Sequence, residues 1–341
     1  MWGFPAWLAP GNDMFRIMVH GIHVEESIGQ WCKICVSVYA FITGYVACAS
    51  DSYRTFRSRL GKIVKLLISY WVILGFIYLM GILLGEPMPD AVQFLLEMVG
   101  AHTDPTVMRC TFSWYIYFYI EVLLLLIPLL NMLRHGFNGK PAAIFLFPVI
   151  ILAFGAIVRI LYKYGLSQIG PINNFFYYGQ IVVAGFCFAY FGLFDRMDSY
   201  LGRALRRTSG PIRRFIFLIL MLAAILLRFL VFSGSLNLDV LYVPALIFLL
   251  FNLTEVRNEG RLAVRARNIL TALGTFLGRN SMNIWLLHSI FFTPEKSLQW
   301  IAYLPYYGVP IVAWVLVICS GISVVLGKVQ KAMTAKAWTR F

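Results

Sequence analysis

The sequence predicts an all-α, polytopic helical membrane protein of about ten transmembrane helices in one bundle, with residues 1–341 forming a single transmembrane domain. Three observations predict it. Hydrophobic residues make up 60% of the chain and charged residues only 13%, where a soluble domain usually carries about 25%. Mean hydropathy is +0.77, so the solvent that suits most of this surface is a bilayer. The lysines and arginines fall into alternate connections between apolar runs, as the positive-inside rule requires.

Spanning about 30 Å of hydrocarbon takes ~20 helical residues. Apolar runs of that order occur at 30–50, 63–84, 112–133, 142–162, 174–194, 212–232, 238–256, 270–292 and 306–327. Residues 4–23 form a weaker tenth candidate, since they carry Asp13, Arg16, His20 and two prolines. The connections after 30–50, 112–133, 174–194 and 238–256, together with the C-terminal tail, hold 22 of the 29 basic residues. The opposite connections carry Glu25, Glu26, Glu86, Asp90, Glu97 and Asp104. That alternation fits ten helices in a plasma (inner) membrane with both termini in the cytoplasm. It also puts His20, His23 and His288 toward the outer side. The first residues lack the charged and apolar regions of a cleavable signal peptide.

A formal charge of +14 would suggest nucleic acid in a soluble protein. Here it follows from basic loops held beside anionic lipid, so the expected partner is the bilayer and not nucleic acid. Trp31-Cys32-Lys33-Ile34-Cys35 has the spacing of a redox pair, but Cys48, Cys110, Cys187 and Cys319 are scattered singly. All six read most simply as small apolar residues inside helices. The sequence does not set the oligomeric state.

Ionisable groups inside a membrane need a partner or a wet cavity. The candidates are Arg16, Glu121, Arg159, Arg228 and Asp239, with His20, His23 and His288. Arg228 and Asp239 could pair across the turn at 233–235. His20 and His23 stand three apart, which places them on one face if the segment is helical. A histidine has the intrinsic basicity to take a proton from a hydroxyl near neutral pH, so a general base is favoured over a metal ligand, and no metal is expected. The basic run after 30–50 (Arg54, Arg57, Arg59, Lys62) is either a lipid-facing anchor or a binding surface for the phosphates of a cosubstrate.

Five stretches, in order, then carry a resemblance. Residues 33–45 form an apolar run ending Thr43-Gly44-Tyr45, and arginines follow it. Ser113-Trp114-Tyr115 opens an aromatic helix with Pro128 downstream, and 176–179 leads through to Gly192-Leu193-Phe194. Finally, Leu277-Gly278-Arg279-Asn280-Ser281 runs on to Leu287-His288. Together they resemble the integral-membrane acyltransferase-3 family, which includes polysaccharide O-acetyltransferases.

The resemblance implies an O-acetyltransferase that moves an acyl group, usually acetyl, from cytoplasmic acetyl-CoA to a hydroxyl of a cell-surface glycan or its lipid-linked precursor. Acetyl-CoA is then a cosubstrate, with no tightly bound cofactor. The family's essential histidine matches His20 or His23, and Arg16 is the only basic residue upstream of His20. The family's basic pair matches Arg54/Arg57 or Arg59/Lys62, both at i, i+3. Tyr45, Trp114, Tyr115, Ser281 and His288 are candidates for lining the substrate cavity, and His288 is placed as a lining or helix-contact residue ahead of a direct chemical role. Two other classes compete: a secondary transporter or flippase of glycan precursors, disfavoured by the lack of an internal repeat, and a catalytically inactive acyltransferase-like membrane protein.

Overall fold

The structure is a computed structural model. It describes residues 18–19, 22–23, 34–85, 88–101, 110, 113–137, 143–166, 170–204, 210–230, 238–254, 261–292, 298, 301–302, 304–305 and 308–338. These are overwhelmingly helical. Helices α1 (Ile34–Ala49) and α2 (Phe56–Leu83) flank a 3-10 turn at Asp51–Tyr53. The short α3 (Ala91–Met98) precedes α4 (Trp114–Gly136), which contains a π-helical turn at Val122–Leu126. Then come α5 (Ala143–Lys163), α6 (Gly170–Tyr190), α7 (Leu193–Ala204), α8 (Gly210–Leu230) and α9 (Asp239–Thr254). The last are α10 (Arg261–Leu287), α11 (Ser289–Phe292) and α12 (Gly308–Trp338).

Among the described residues four helices, α2, α4, α5 and α12, are long and apolar enough to cross a membrane. They become five if α6 and α7, bent by 65° at Gly192, count as one span. Each of the nine strong apolar runs carries a helix, but several helices outrun the apolar stretch. The run at 63–84 starts at Phe56, the run at 270–292 at Arg261, and the run at 306–327 continues to Trp338. Hydropathy detects the part that suits lipid. Backbone hydrogen bonding continues into water wherever arginine, lysine and alanine favour a helix.

The weak N-terminal candidate departs more. Met18–Val19 (β1) and Ile22–His23 (β2) pair as antiparallel strands, Met18 with His23 and Val19 with Ile22. His23 therefore sits on a strand where the sequence predicts a helix, and His20, its expected partner on a helix face, lies outside the described residues. Gly21 and the β-branched Val19 and Ile22 disfavour a helix at this point.

The chain divides into two compact units. In the first (Met1–Ser27, Gly61–Tyr119 and Asn268–Phe341), Tyr70, Ile73, Leu286, Leu287 and Cys319 are buried. Two amides bridge its helices: Asn283 Nδ2 donates to Gln330 Oε1 at 3.1 Å and Gln330 Nε2 returns a bond to Asn283 Oδ1 at 3.0 Å. Gln330 Nε2 also reaches the Ser69 carbonyl at 2.9 Å, and Ser323 donates to Asn280 at 2.9 Å. Lipid offers apolar groups no advantage for helix pairing, so such polar links and close packing hold the helices together.

In the second unit (Ile28–Leu60 and Ile120–Arg267), α1 crosses α6 with backbone against backbone. A β-carbon on Gly44 would collide with the Val182 carbonyl oxygen, and one on Gly185 with that of Phe41. Around this crossing Phe41, Phe188, Phe194 and Phe248 pack ring against ring, edge to face, tilted or in parallel, and Phe217, Phe248 and Leu249 form a core with Met197 and Leu201 of α7. Ser37 Oγ of α1 donates to Asp239 Oδ2 at the start of α9, 2.6 Å away and buried. That bond accounts for the intramembrane Asp239 within this unit; the side chain of Arg228, its expected partner, lies outside the described residues. Cys48, Cys187 and Cys319 are buried inside helices, as expected of small apolar residues, whereas the buried Cys110 lies outside any helix.

Candidate functional site

The knot between α1 and α2 is the best-defined polar feature among the predicted site residues. Its sequence, Ser50-Asp51-Ser52-Tyr53-Arg54-Thr55, is rich in short hydroxyl side chains that bond their own backbone. Ser52 N–H donates to Ser50 Oγ at 3.3 Å, Ser58 N–H donates to Thr55 Oγ1 at 3.3 Å, and Ser58 Oγ donates to the Ser52 carbonyl at 2.5 Å. Thr55 thus caps the first turn of α2, satisfying an amide that the helix leaves unpaired.

The four cations predicted to hold phosphates differ in role. Arg59 is buried, and its Nη1 donates to the carbonyls of Tyr53 at 3.0 Å and Arg54 at 2.8 Å. Its Nε has no hydrogen-bond partner among the described residues. Arg54 lies before the helix and pairs with Asp51 at 2.8 Å, both exposed. Arg57 is exposed and Lys62 half-buried on α2, with Lys62 one turn beyond Arg59. Of the two i, i+3 pairs, only Arg59/Lys62 lies wholly on the helix. On the other side of the knot Arg134, in the last turn of α4, donates to the Cys48 carbonyl at 2.8 Å, capping an end that α1 leaves open. This arrangement gathers positive charge at a helix start, a setting suited to phosphate.

Several of the remaining candidates occupy packed positions. Tyr45 is half-buried, its ring 6.4 Å from Phe41 and 5.7 Å from Phe194. Trp114 and Tyr115 open α4, edge to face at 5.9 Å, and Tyr115 leans on Phe118 at 5.5 Å. Ser281 Oγ is bonded to the Gly278 carbonyl of its own helix at 2.9 Å. His288 sits at the break between α10 and α11, its amide donating to the Ile284 carbonyl at 3.1 Å and its ring 5.3 Å from Trp285. Arg159 is exposed on α5, and Glu121 is half-buried immediately before the π-helical turn, a geometry that recurs at functional sites. Arg16 and His20 lie outside the described residues, and His23 is described only through its backbone.

Sequence reasoning missed one polar centre. Glu97, expected as an outer-loop charge, is buried at 3% exposure. Tyr78 donates its hydroxyl to the carboxylate, and the Cys110 amide reaches the other oxygen at 3.4 Å. The available signal was a set of aromatic residues with polar tips on α2, namely Tyr70, Trp71 and Tyr78, at a depth where such groups need partners.

Comparison with known proteins gives one match. The sequence model of a family described as an acyltransferase domain covers residues 2–328. No curated protein and no solved structure matches the chain.

Proposed function

The chain belongs to the acyltransferase-3 family and is a membrane acyltransferase, and from that premise we propose that it transfers an acetyl group from cytoplasmic acetyl-CoA to a hydroxyl of a cell-surface glycan or its lipid-linked precursor. The observation that supports the donor half of this reading is the cationic start of α2, where Arg57 and Lys62 stand in sequence on either side of Arg59, which pins the preceding turn. Planar guanidinium and mobile ammonium groups suit the phosphates of coenzyme A.

In this reading the acceptor hydroxyl oxygen attacks the thioester carbonyl, the carbon–sulfur bond breaks, and coenzyme A leaves as its thiolate. His20 or His23 takes the hydroxyl proton, and Arg16 offsets the developing oxyanion. The basic connections point to a plasma-membrane protein with cytoplasmic termini.

The test is acetyl transfer in membranes supplied with radiolabelled acetyl-CoA, with label counted in surface glycan. We expect incorporation that depends on the protein and is lost in the double variant His20→Ala/His23→Ala. Full incorporation by that variant would remove both histidines as bases; incorporation absent from the unaltered protein with acetyl-CoA would remove the donor assignment.

A further inference from the structure

The segment after α2 does not behave as an external loop. After Leu83 the chain reverses at Gly85, whose φ of +75° is a conformation glycine adopts without strain. Asp90 then caps α3 by accepting from the Gln93 amide at 2.8 Å. From there α3 runs back along α2. Phe94 packs on Tyr78, rings 5.4 Å apart. Further on, the Tyr70 hydroxyl donates to the Glu97 carbonyl at 2.6 Å, and Trp71 Nε1 donates to the Met98 carbonyl at 2.8 Å. Contacts move backward along α2 as the chain moves forward along α3, so the two helices are antiparallel.

Depth follows from helix geometry. Tyr70 is thirteen residues before Leu83, which at 1.5 Å per residue is about 20 Å from that end of α2. The opposite end carries Arg57, Arg59, Lys62 and Lys65, so any part of α2 that overhangs the hydrocarbon lies there. Residues 97–98 therefore lie well inside a ~30 Å apolar layer. The backbone is finished accordingly. The Ala101 amide donates to the Leu96 carbonyl at 3.0 Å and the Gly100 amide to the Glu97 carbonyl at 2.9 Å, with Gly100 at φ +71°. This is the Schellman ending, which leaves few carbonyls unpaired, as a helix end at membrane depth requires.

The outer face of α3 is apolar and open: Val92, Leu95, Leu96 and Val99 are exposed, Leu95 at 63%. On α2 the exposed Leu79, Ile82 and Leu83 extend the same kind of surface. We propose that residues 84–85 and 88–101 belong to a re-entrant element, with α3 inside the membrane layer, Glu97 turned inward on Tyr78, and the Val92/Leu95/Leu96/Val99 face against bilayer acyl chains. The proposal rests on α2 spanning the membrane and not on acyl transfer.

The test is nitroxide accessibility on the full-length protein in lipid vesicles. Leu95→Cys and, as an aqueous reference, Lys331→Cys on the exposed basic end of α12 are spin-labelled, and labelled unaltered protein supplies the background from native cysteines. At Leu95 the label should collide readily with dissolved oxygen and several-fold less with a water-soluble nickel chelate than at Lys331. Nickel accessibility equal to that at Lys331 would put α3 in water and overturn the proposal. Low accessibility to both reagents would mean that protein covers the face, which also overturns it. If Leu95→Cys fails to fold, Val92→Cys, also exposed, gives the same reading.

Discussion

Arg59 and Lys62 stand one helical turn apart, yet their surroundings assign them different work. Arg59 is buried, and its Nη1 ties two carbonyls of the preceding turn to α2. Removing a charged donor from such bonds costs about 2–3 kcal/mol, so Arg59→Ala should lower the thermal midpoint in detergent and depress every activity together. Lys62 is only half-buried. Lys62→Ala should leave the midpoint unchanged while raising KM for acetyl-CoA about tenfold, the equivalent of about 1.4 kcal/mol. A fall in kcat at unchanged KM would place Lys62 away from the donor. The sequence shows four similar cations in nine residues; what separates them is bonding to backbone carbonyls, which no side-chain pattern encodes. Glu97 was illegible for a related reason. A carboxylate in a polar-looking connection reads as solvated until the chain is seen to fold back on Tyr70, Trp71 and Tyr78.

At the scale of the element, the crossing of α1 and α6 depends on two missing side chains. Gly44 and Gly185 each face a carbonyl of the other helix at a separation no β-carbon fits. In Thr43-Gly44-Tyr45 the glycine allows the contact, and Tyr45 beside it packs among Phe41 and Phe194. Gly44→Ala or Gly185→Ala must push the helices apart, at a cost of about 1–3 kcal/mol each, the usual cost of overpacking. Gly321→Ala on α12, where nothing lies within 4 Å, should be neutral or slightly stabilising, since alanine favours a helix. Thermal unfolding of the three variants in one detergent checks this, and equal midpoints would show that the crossing has room for a β-carbon. The existence of these helices was readable because an apolar run of membrane length has few alternatives. Their ends were not, because polar residues continue a helix as readily as they leave it. The pairing of Met18–Val19 with Ile22–His23 puts His23 on a strand, which its spacing in the sequence does not specify.

For the whole molecule, orientation follows from where helices leave the apolar layer. Helix α12 has 31 residues, about 46 Å at 1.5 Å per residue, and so exceeds ~30 Å of hydrocarbon by several turns. Its surplus carries Lys328, Lys331 and Lys336. The start of α2, the last turn of α4 and the start of α10 carry basic residues in the same way: Arg57, Lys62, Arg134 and Arg265. Lysine and arginine are retained on the cytoplasmic side during insertion, so these ends should share it. A fluorescent protein fused after Phe341 should therefore fluoresce, and alkaline phosphatase fused there should be inactive, because the first folds in the cytoplasm and the second needs the oxidising exterior. The same pair of reporters at the N-terminus tests parity. Matching results at both ends require an even number of crossings, as ten would be. Opposite results require an odd number, and one expected helix would then fail to cross. The N-terminal segment is the first suspect, since Met18–Val19 and Ile22–His23 pair there as strands.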